Sequence, residues 1–358
     1  MESGRDLLCI KKDELSKHLK AMGEPDYRAK QLFHWIHGKR AQSFDEMTDL
    51  SKALREKLSS DFYIGRILSR AKQCSQDSTR KYLFSLGDGE LVETVAMYYA
   101  QGVTVCVSTQ AGCRMGCVFC ASAAGGFVRN LTASEMLLQV YSVAEDLNEK
   151  IAGVVLMGTG EPLDNFCNVM AFYDIITDKD GFGLSNRSVS LSTCGLADMI
   201  DLLADKKTQL TLSVSLHAAD DELRTRLMPV NRSFSISRLM DSCRRYYRLT
   251  RRRISFEYMV IAGLNDGDDD AKKLAELMKG VGAHVNLIPA NPVFTQEYTA
   301  TKEQAEAFNS KLRTLGVNAT VRRTLGKDID AACGQLRRRS SEDMRDLSRT
   351  TPKNDVTK

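Results

Sequence analysis

Apolar and polar positions change their period along the chain. From Lys11 to Leu58 the apolar residues recur at helical spacing, first as Leu15, Leu19 and Met22, then as Leu32, Phe33, Trp35 and Ile36. This predicts a small helical domain over 1–60, with Pro25 suited to the first turn of its second helix and Gly38 to its end. KYLFSLGDGELVETVAMYY, from Lys81, then reads as two β-type runs around Gly87-Asp88-Gly89, a hairpin linker within 61–98. An acid in an apolar strand ordinarily faces solvent, which leaves Glu93 unexplained at this level.

Six short β-branched runs follow: GVTVCVST, GVVLMGTGEP, SVSLSTCG, LTLSVSLH, ISFEYMVI and HVNLIPANP. Most lead through a loop into a helical segment, and Thr132 and Glu135 form a capping box ahead of Met136 to Leu147. The alternation predicts an α/β core over 99–328, a parallel sheet with helices outside. Polar residues at every strand end favour a partial (β/α)6 barrel over an open doubly wound sheet. After a last strand, Ala319 to Arg323, a Gly-rich polar loop over 329–339 holds Cys333. Residues 340–358 lack an apolar period and read as a disordered tail.

With 358 residues and 43% hydrophobic content, a mostly disordered chain is excluded. No window approaches the roughly 18 apolar residues of a spanning helix, so a cytoplasmic location without membrane contact is expected. The ten cysteines are spread from Cys9 to Cys333 in a long chain, and free thiols are expected rather than a disulfide framework. A net charge of +4 does not establish a nucleic-acid partner. Arg244, Arg245, Arg248, Arg251, Arg252 and Arg253 form one basic stretch; Arg322 and Arg323, with Arg337 to Arg339, form another. Such runs are ordinarily solvated helix faces, and charge alone does not decide for phosphate. Tyr27, Arg28, Lys30, His34, His37, Lys39 and Arg40 could contact RNA, whereas Trp35 is expected in a helical core.

AGCRMGCVFCAS gathers Cys113, Cys117 and Cys120 within eight positions. Structural zinc wants four ligands, and there is neither a second CxxC nor a nearby histidine. Three thiolates can instead hold three irons of a cubane cluster and leave the fourth open to a small molecule. A strand from Val103 to Thr109 running straight into this loop places it at the C-terminal rim, where α/β barrels hold their active sites. Period-two alternation sets Cys106 and Ser108 opposite Val105 and Val107, so Cys106 is expected to look into the same cavity.

CRMGCVFC, with an aromatic residue before its last cysteine, resembles the cluster motif of radical S-adenosylmethionine (SAM) enzymes. GTGEP at 158–162, STCG at 192–195, SLHA at 215–218 and Asn291-Pro292 follow in that family's order. The resemblance implies one 4Fe-4S cluster on Cys113, Cys117 and Cys120, with SAM on its fourth iron. It implies further SAM contacts at Gly160, Glu161, Ser192, Ser215, Leu216, His217 and Asn291. VETV around Glu93, Cys106, and GKDIDAACGQL around Cys333 narrow it further, to the bacterial RNA methyltransferases that methylate carbon 2 of adenosine; this match runs to about Arg337.

That resemblance implies 23S rRNA as substrate, with tRNA a second candidate, two SAM molecules per turnover, an electron donor such as flavodoxin or ferredoxin, and a monomer. In the implied mechanism the Cys333 thiolate takes a methyl from one SAM. A 5′-deoxyadenosyl radical from the second abstracts hydrogen from that S-methyl group, and the resulting carbon radical adds to the base. Release needs a proton acceptor, Glu93 or Cys106, and a disulfide between Cys106 and Cys333; which residue takes the proton stays open. The nearest rival, the carbon-8 methyltransferase that confers antibiotic resistance, shares the five functional cysteines, and Gly-Glu-Pro at 160–162 speaks for carbon 2. A non-catalytic zinc RNA-binding protein is the reading from another class. Thr159 and Leu325 depart from the methionine and arginine frequent in the carbon-2 group.

Overall fold

The structure is a computed structural model and describes residues 4–290, 299–323, 325–329 and 331. Its N-terminal part holds α1 (Lys12–Ala21), α2 (Tyr27–Phe33), continued by a π turn over His34–Gly38, and α3 (Lys52–Asp61), capped where Ser51 Oγ accepts from Leu54 N at 3.2 Å. Leu7, Leu15, Leu32 and Phe33 are buried in one apolar core with the rest of the molecule. Lys12 pairs with Asp178 and Asp180 at 2.7 and 2.9 Å.

Two expectations for this region are corrected. His37 is buried, 2.9 Å from the Tyr141 hydroxyl, and burial lowers its pKa to about 3. It is a neutral core residue and not an RNA contact. Trp35 is only half-buried: its Nε1 donates to Asp49, and the Lys39 ammonium lies 3.4 Å from its ring centroid.

Ten strands form the main sheet among the described residues. They are β1 (Leu68–Cys74), β2 (Arg80–Ser85), β3 (Leu91–Tyr99), β4 (Gly102–Cys106), β5 (Ile151–Leu156), β6 (Val189–Thr193), β7 (Thr211–Ser215), β8 (Ile254–Val260), β9 (Ala283–Pro289) and β10 (Ala319–Val321). They lie side by side in chain order, β1 to β4 antiparallel and β4 to β10 parallel. Between the parallel strands run α4 (Ala133–Leu147), α5 (Phe166–Thr177), α6 (Ala197–Asp205), α7 (Ile236–Thr250), α8 (Asp268–Leu277) and α9 (Lys302–Thr314). The Thr132–Glu135 capping box opens α4 as the sequence predicts.

The hairpin is built into this sheet: Val95 of β3 stands opposite Cys106 of β4, and β1 adds a third antiparallel strand. β1 escaped the sequence reading because it is largely solvated and shows no buried period. The strand before the cysteines is also shorter than expected. β4 ends at Cys106, and Gln110–Gly112 then pairs with Phe127–Asn130 in a small separate sheet. Thr109 N and Gln110 N both donate to Thr159 O, at 2.9 and 3.2 Å, which turns the chain off the main sheet.

The basic stretch at 244–253 runs along the last half of α7 and into β8, toward the N-terminal ends of the strands. Two of its arginines meet acids: Arg245 pairs with Asp201 and Asp205 of α6, and Arg244 with Asp241 of α7 itself. This stretch lies away from the rim where the cysteine loop sits. Among the described residues no helix is long and apolar enough to cross a membrane.

Candidate active site

A cavity of about 1070 Å³, its open mouth included, lies at the C-terminal ends of the parallel strands. Cys113, Cys117 and Cys120 line one wall; Gly160, Glu161, Ser192, Ser215 and His217 line others, so five of the seven expected SAM contacts converge with the three thiols. Leu216 is fully buried in the core, and its N–H donates to Glu257 O at 3.0 Å, a scaffold position. Asn291 and Cys333 lie outside the described residues.

The rim at 158–161 requires glycine twice. A Cβ on Gly158 would sit 2.7 Å from Ser108 N, and one on Gly160, at φ +111°, 2.7 Å from Gln110 Cβ. Glu161 is buried, with its carboxylate already engaged: one oxygen accepts from Leu163 N at 3.0 Å, the other from Cys194 N at 2.7 Å. Burial raises its pKa, and the two N–H bonds oppose the rise. Its carboxylate ties the strand ends together.

His217 adopts a left-handed φ of +58°. Its Nδ1 accepts from Met259 N at 2.9 Å, which places the proton of the neutral ring on Nε2. Burial lowers the ring's pKa to about 3, so Nε2–H is a permanent donor. Two further groups were not found from sequence. Glu257 lines the cavity 5% exposed, accepting from Asn286 Nδ2 at 2.8 Å, with Arg322 Nη1 3.8 Å away. Arg224, in DELRTRL, is fully buried behind the rim; both read as ordinary strand or helix polarity until the sheet closes around them.

Among the described residues no three Cys, His, Asp or Glu side chains converge closely enough to hold one metal ion. Three thiols lining one cavity are the donor set that holds three irons of a cubane and leaves the fourth open. Burial pushes the Cys113 thiol up to about 12 and Cys117 higher still, with their neighbours' charge adding to the rise. A cationic metal core is what can hold the three together as thiolates.

Cys106 does not line this cavity, contrary to expectation. It packs with Val95, Met97, Leu325 and Ala331, against Met157, which also lines the cavity. Leu325, where the carbon-2 group often has arginine, is thus a buried contact of Cys106. Glu93 shares the β3 face of Val95 and is 2% exposed, with Lys81 Nζ 3.6 Å away. The turn between β1 and β2 holds the approach to Cys333. Asp77 Oδ2 accepts from Gly326 N at 2.9 Å, and Asp328 accepts from Ser75 Oγ and from Gln76 N, the latter at 3.2 Å. The added antiparallel strand thereby gains a role that its own sequence does not show.

A parallel α/β core with three cysteines at its strand-end rim, facing a glycine-rich turn and polar strand ends, defines the radical SAM class. The Radical SAM superfamily model matches residues 107–278, and that of the ribosomal RNA large subunit methyltransferase N-terminal domain matches 5–64. Proteins named "Probable dual-specificity RNA methyltransferase RlmN" are 47% identical over 341 residues in Lachnospira eligens, covering 95% of this chain and 97% of the relative, and 49% identical over 337 residues in Clostridium perfringens, covering 93% and 97%. A solved radical SAM methyltransferase from Sphaerobacter thermophilus superposes with a TM-score of 0.87 at 42% identity, covering 93% of this chain and 99% of that one. The chain belongs to the RlmN family of radical SAM RNA methyltransferases, a family that implies a 4Fe-4S cluster and SAM.

Proposed function

We propose that this protein methylates carbon 2 of an adenosine in 23S rRNA, and of an adenosine in tRNA, through a methyl group carried on Cys333. The observation that carries the reading is the packing of Leu325, Ile329 and Ala331 with Cys106, with Met157 shared between that face and the cavity. The relatives' printed "dual-specificity" supports two RNA substrates.

Cys113, Cys117 and Cys120 hold one cluster, and the rim residues with Asn291 hold SAM, used twice per turnover. When bound, the pair supplies a carbon radical strong enough to remove hydrogen from an S-methyl group. Cys333 binds the methyl and later the base. Glu93, buried beside Lys81, or Cys106 receives the carbon-2 proton. Cys106 closes the cycle by forming a disulfide with Cys333, which releases the product. Electrons come from a low-potential donor such as flavodoxin or ferredoxin, and the protein works as a cytoplasmic monomer. The target base leaves its stack to enter, which an RNA loop permits at least cost.

The test is anaerobic reconstitution with iron, sulfide, SAM and an RNA loop, then digestion and separation of methyladenosines. The expected product is 2-methyladenosine, with a methyl mass increment on Cys333 before RNA is added. 8-Methyladenosine overturns the position assigned, and an unmodified Cys333 overturns the carrier.

A further inference from the structure

Among the described residues Arg224 is the bulkiest of the fully buried side chains, and its hydrogen-bond partners there are neutral. Nε donates to Leu216 O at 3.2 Å, Nη1 to Asn231 Oδ1 at 2.8 Å, and Nη2 to Cys194 O at 2.7 Å and Ser215 O at 3.1 Å. Among the described residues no carboxylate lies within ion-pair distance of it. Asp221 is turned to Asn231 Nδ2 and Ile236 N, at 2.9 and 2.8 Å, and Glu161 meets the Cys194 peptide from its N–H side. A guanidinium cannot shed its proton, and burial without a counter-charge costs more than neutral acceptors return.

The position indicates where the counter-charge comes from. Cys117 packs against the small apolar cluster that contains Cys194, Leu227 and Met228. Val118 N donates to Leu227 O at 3.1 Å, three residues beyond Arg224. Arg224 donates to the Cys194 carbonyl at 2.7 Å, and Cys194 belongs to the cluster against which Cys117 packs. Behind the rim, then, stands a fixed cation one residue layer from the loop of the three thiols.

We propose that Arg224 is a positioning residue whose unneutralised buried charge sets the reduction potential of the cluster, while its hydrogen bonds brace the strand ends bearing Ser192, Ser215 and His217. One electron from an external one-electron donor raises the negative charge of the cluster–thiolate unit by one; no proton is taken up and no bond breaks. A fixed cation nearby favours that reduced form. The inference rests on the cluster reading of Cys113, Cys117 and Cys120.

The test uses the full chain, reconstituted anaerobically, as wild type, R224K and R224Q. Iron and sulfide content, SAM dissociation constant and an EPR-monitored potentiometric titration with dithionite are measured on each. R224Q is expected to shift the midpoint negative, lowering the reduced fraction at a fixed potential roughly tenfold, with R224K staying near wild type. If R224Q does not fold, the exchange D221N/N231D keeps the net charge but sets a carboxylate against Arg224 Nη1, with loss of the bond from Asn231 Nδ2 to the Asp221 carbonyl; its midpoint is expected to move the same way. An unmoved midpoint in R224Q or in the exchange overturns the proposal, as does an equal shift in R224K and R224Q. Weaker SAM binding at an unmoved midpoint reduces Arg224 to a brace and overturns it too. A wild type without iron–sulfur absorbance leaves no midpoint at all, which overturns the cluster reading beneath the inference and is told apart by that sign.

Discussion

The cavity wall at the strand ends and the wall formed by the adjoining Cys106 face, outside the cavity and joined to it through Met157, are held by different physics. On the cofactor wall, short-range main-chain bonding dominates: Glu161 to Cys194 N, Met259 N to His217, and Arg224 to three carbonyls. On the wall of Cys106 and Glu93, an apolar face carries a single buried ion pair, and the β1–β2 turn holds the incoming loop from outside. A wall built from peptide groups tolerates little change in backbone conformation. One built from side-chain packing tolerates shape change but not an unpaired charge.

The largest effect is therefore expected on the cofactor wall from G160A. A Cβ at φ +111° against Gln110 leaves no relaxed conformation, so about 4 kcal/mol of stability and all detectable SAM binding are expected to go; isothermal titration and urea unfolding read both. On the opposite wall, K81M removes the cation 3.6 Å from buried Glu93 and is expected to cost about 3 kcal/mol, recovered in large part by K81M/E93L. Equal stability of K81M and wild type would show that the pair does not hold that face.

Acid separates the walls again. His37 and His217 have folded-state pKa values of about 3, below the ordinary 6.5. The unfolded chain therefore binds protons first, and their contribution is complete above pH 6.5 and lost as pH falls toward 3. Between pH 7 and pH 5 each is expected to remove about 2 kcal/mol, and H37Q, outside both walls, should abolish half of that slope without changing SAM affinity. The smallest effect is expected from D77A, which frees Gly326 N. About 1 kcal/mol of stability is lost and methylation slows severalfold at unchanged SAM affinity; a parallel fall in SAM affinity would contradict the separation of the walls.

Much of the site could be read from the chain because its chemistry is local. CRMGCVFC, GTGEP, STCG and SLHA each sit at the end of a strand whose period is visible, so motif and placement agree before any contact is known. Alternation gave Cys106 a face but not the right cavity, and Glu93 was readable only through resemblance, since an acid in an apolar strand carries no spacing signal. Arg224 and Glu257 were missed because a charged residue in DELRTRL or ISFEYMVI looks the same whether it is solvated or buried. The charge run in α7 was conspicuous in the sequence, but that Arg245 pairs with Asp201 and Asp205 was not legible there.

Local patterning, then, determined the order of elements and the position of the three-cysteine loop, because periodicity and short spacing act within a few residues. Which charges were buried, which thiol faced which cavity, and what an exposed strand was for depended on residues far apart in the chain. Cys106 under Leu325, Asp77 on Gly326 and Arg224 on Cys194 span 30 to 249 positions. Burial and charge pairing over such separations belong to the packed sheet, and only tertiary structure decided them.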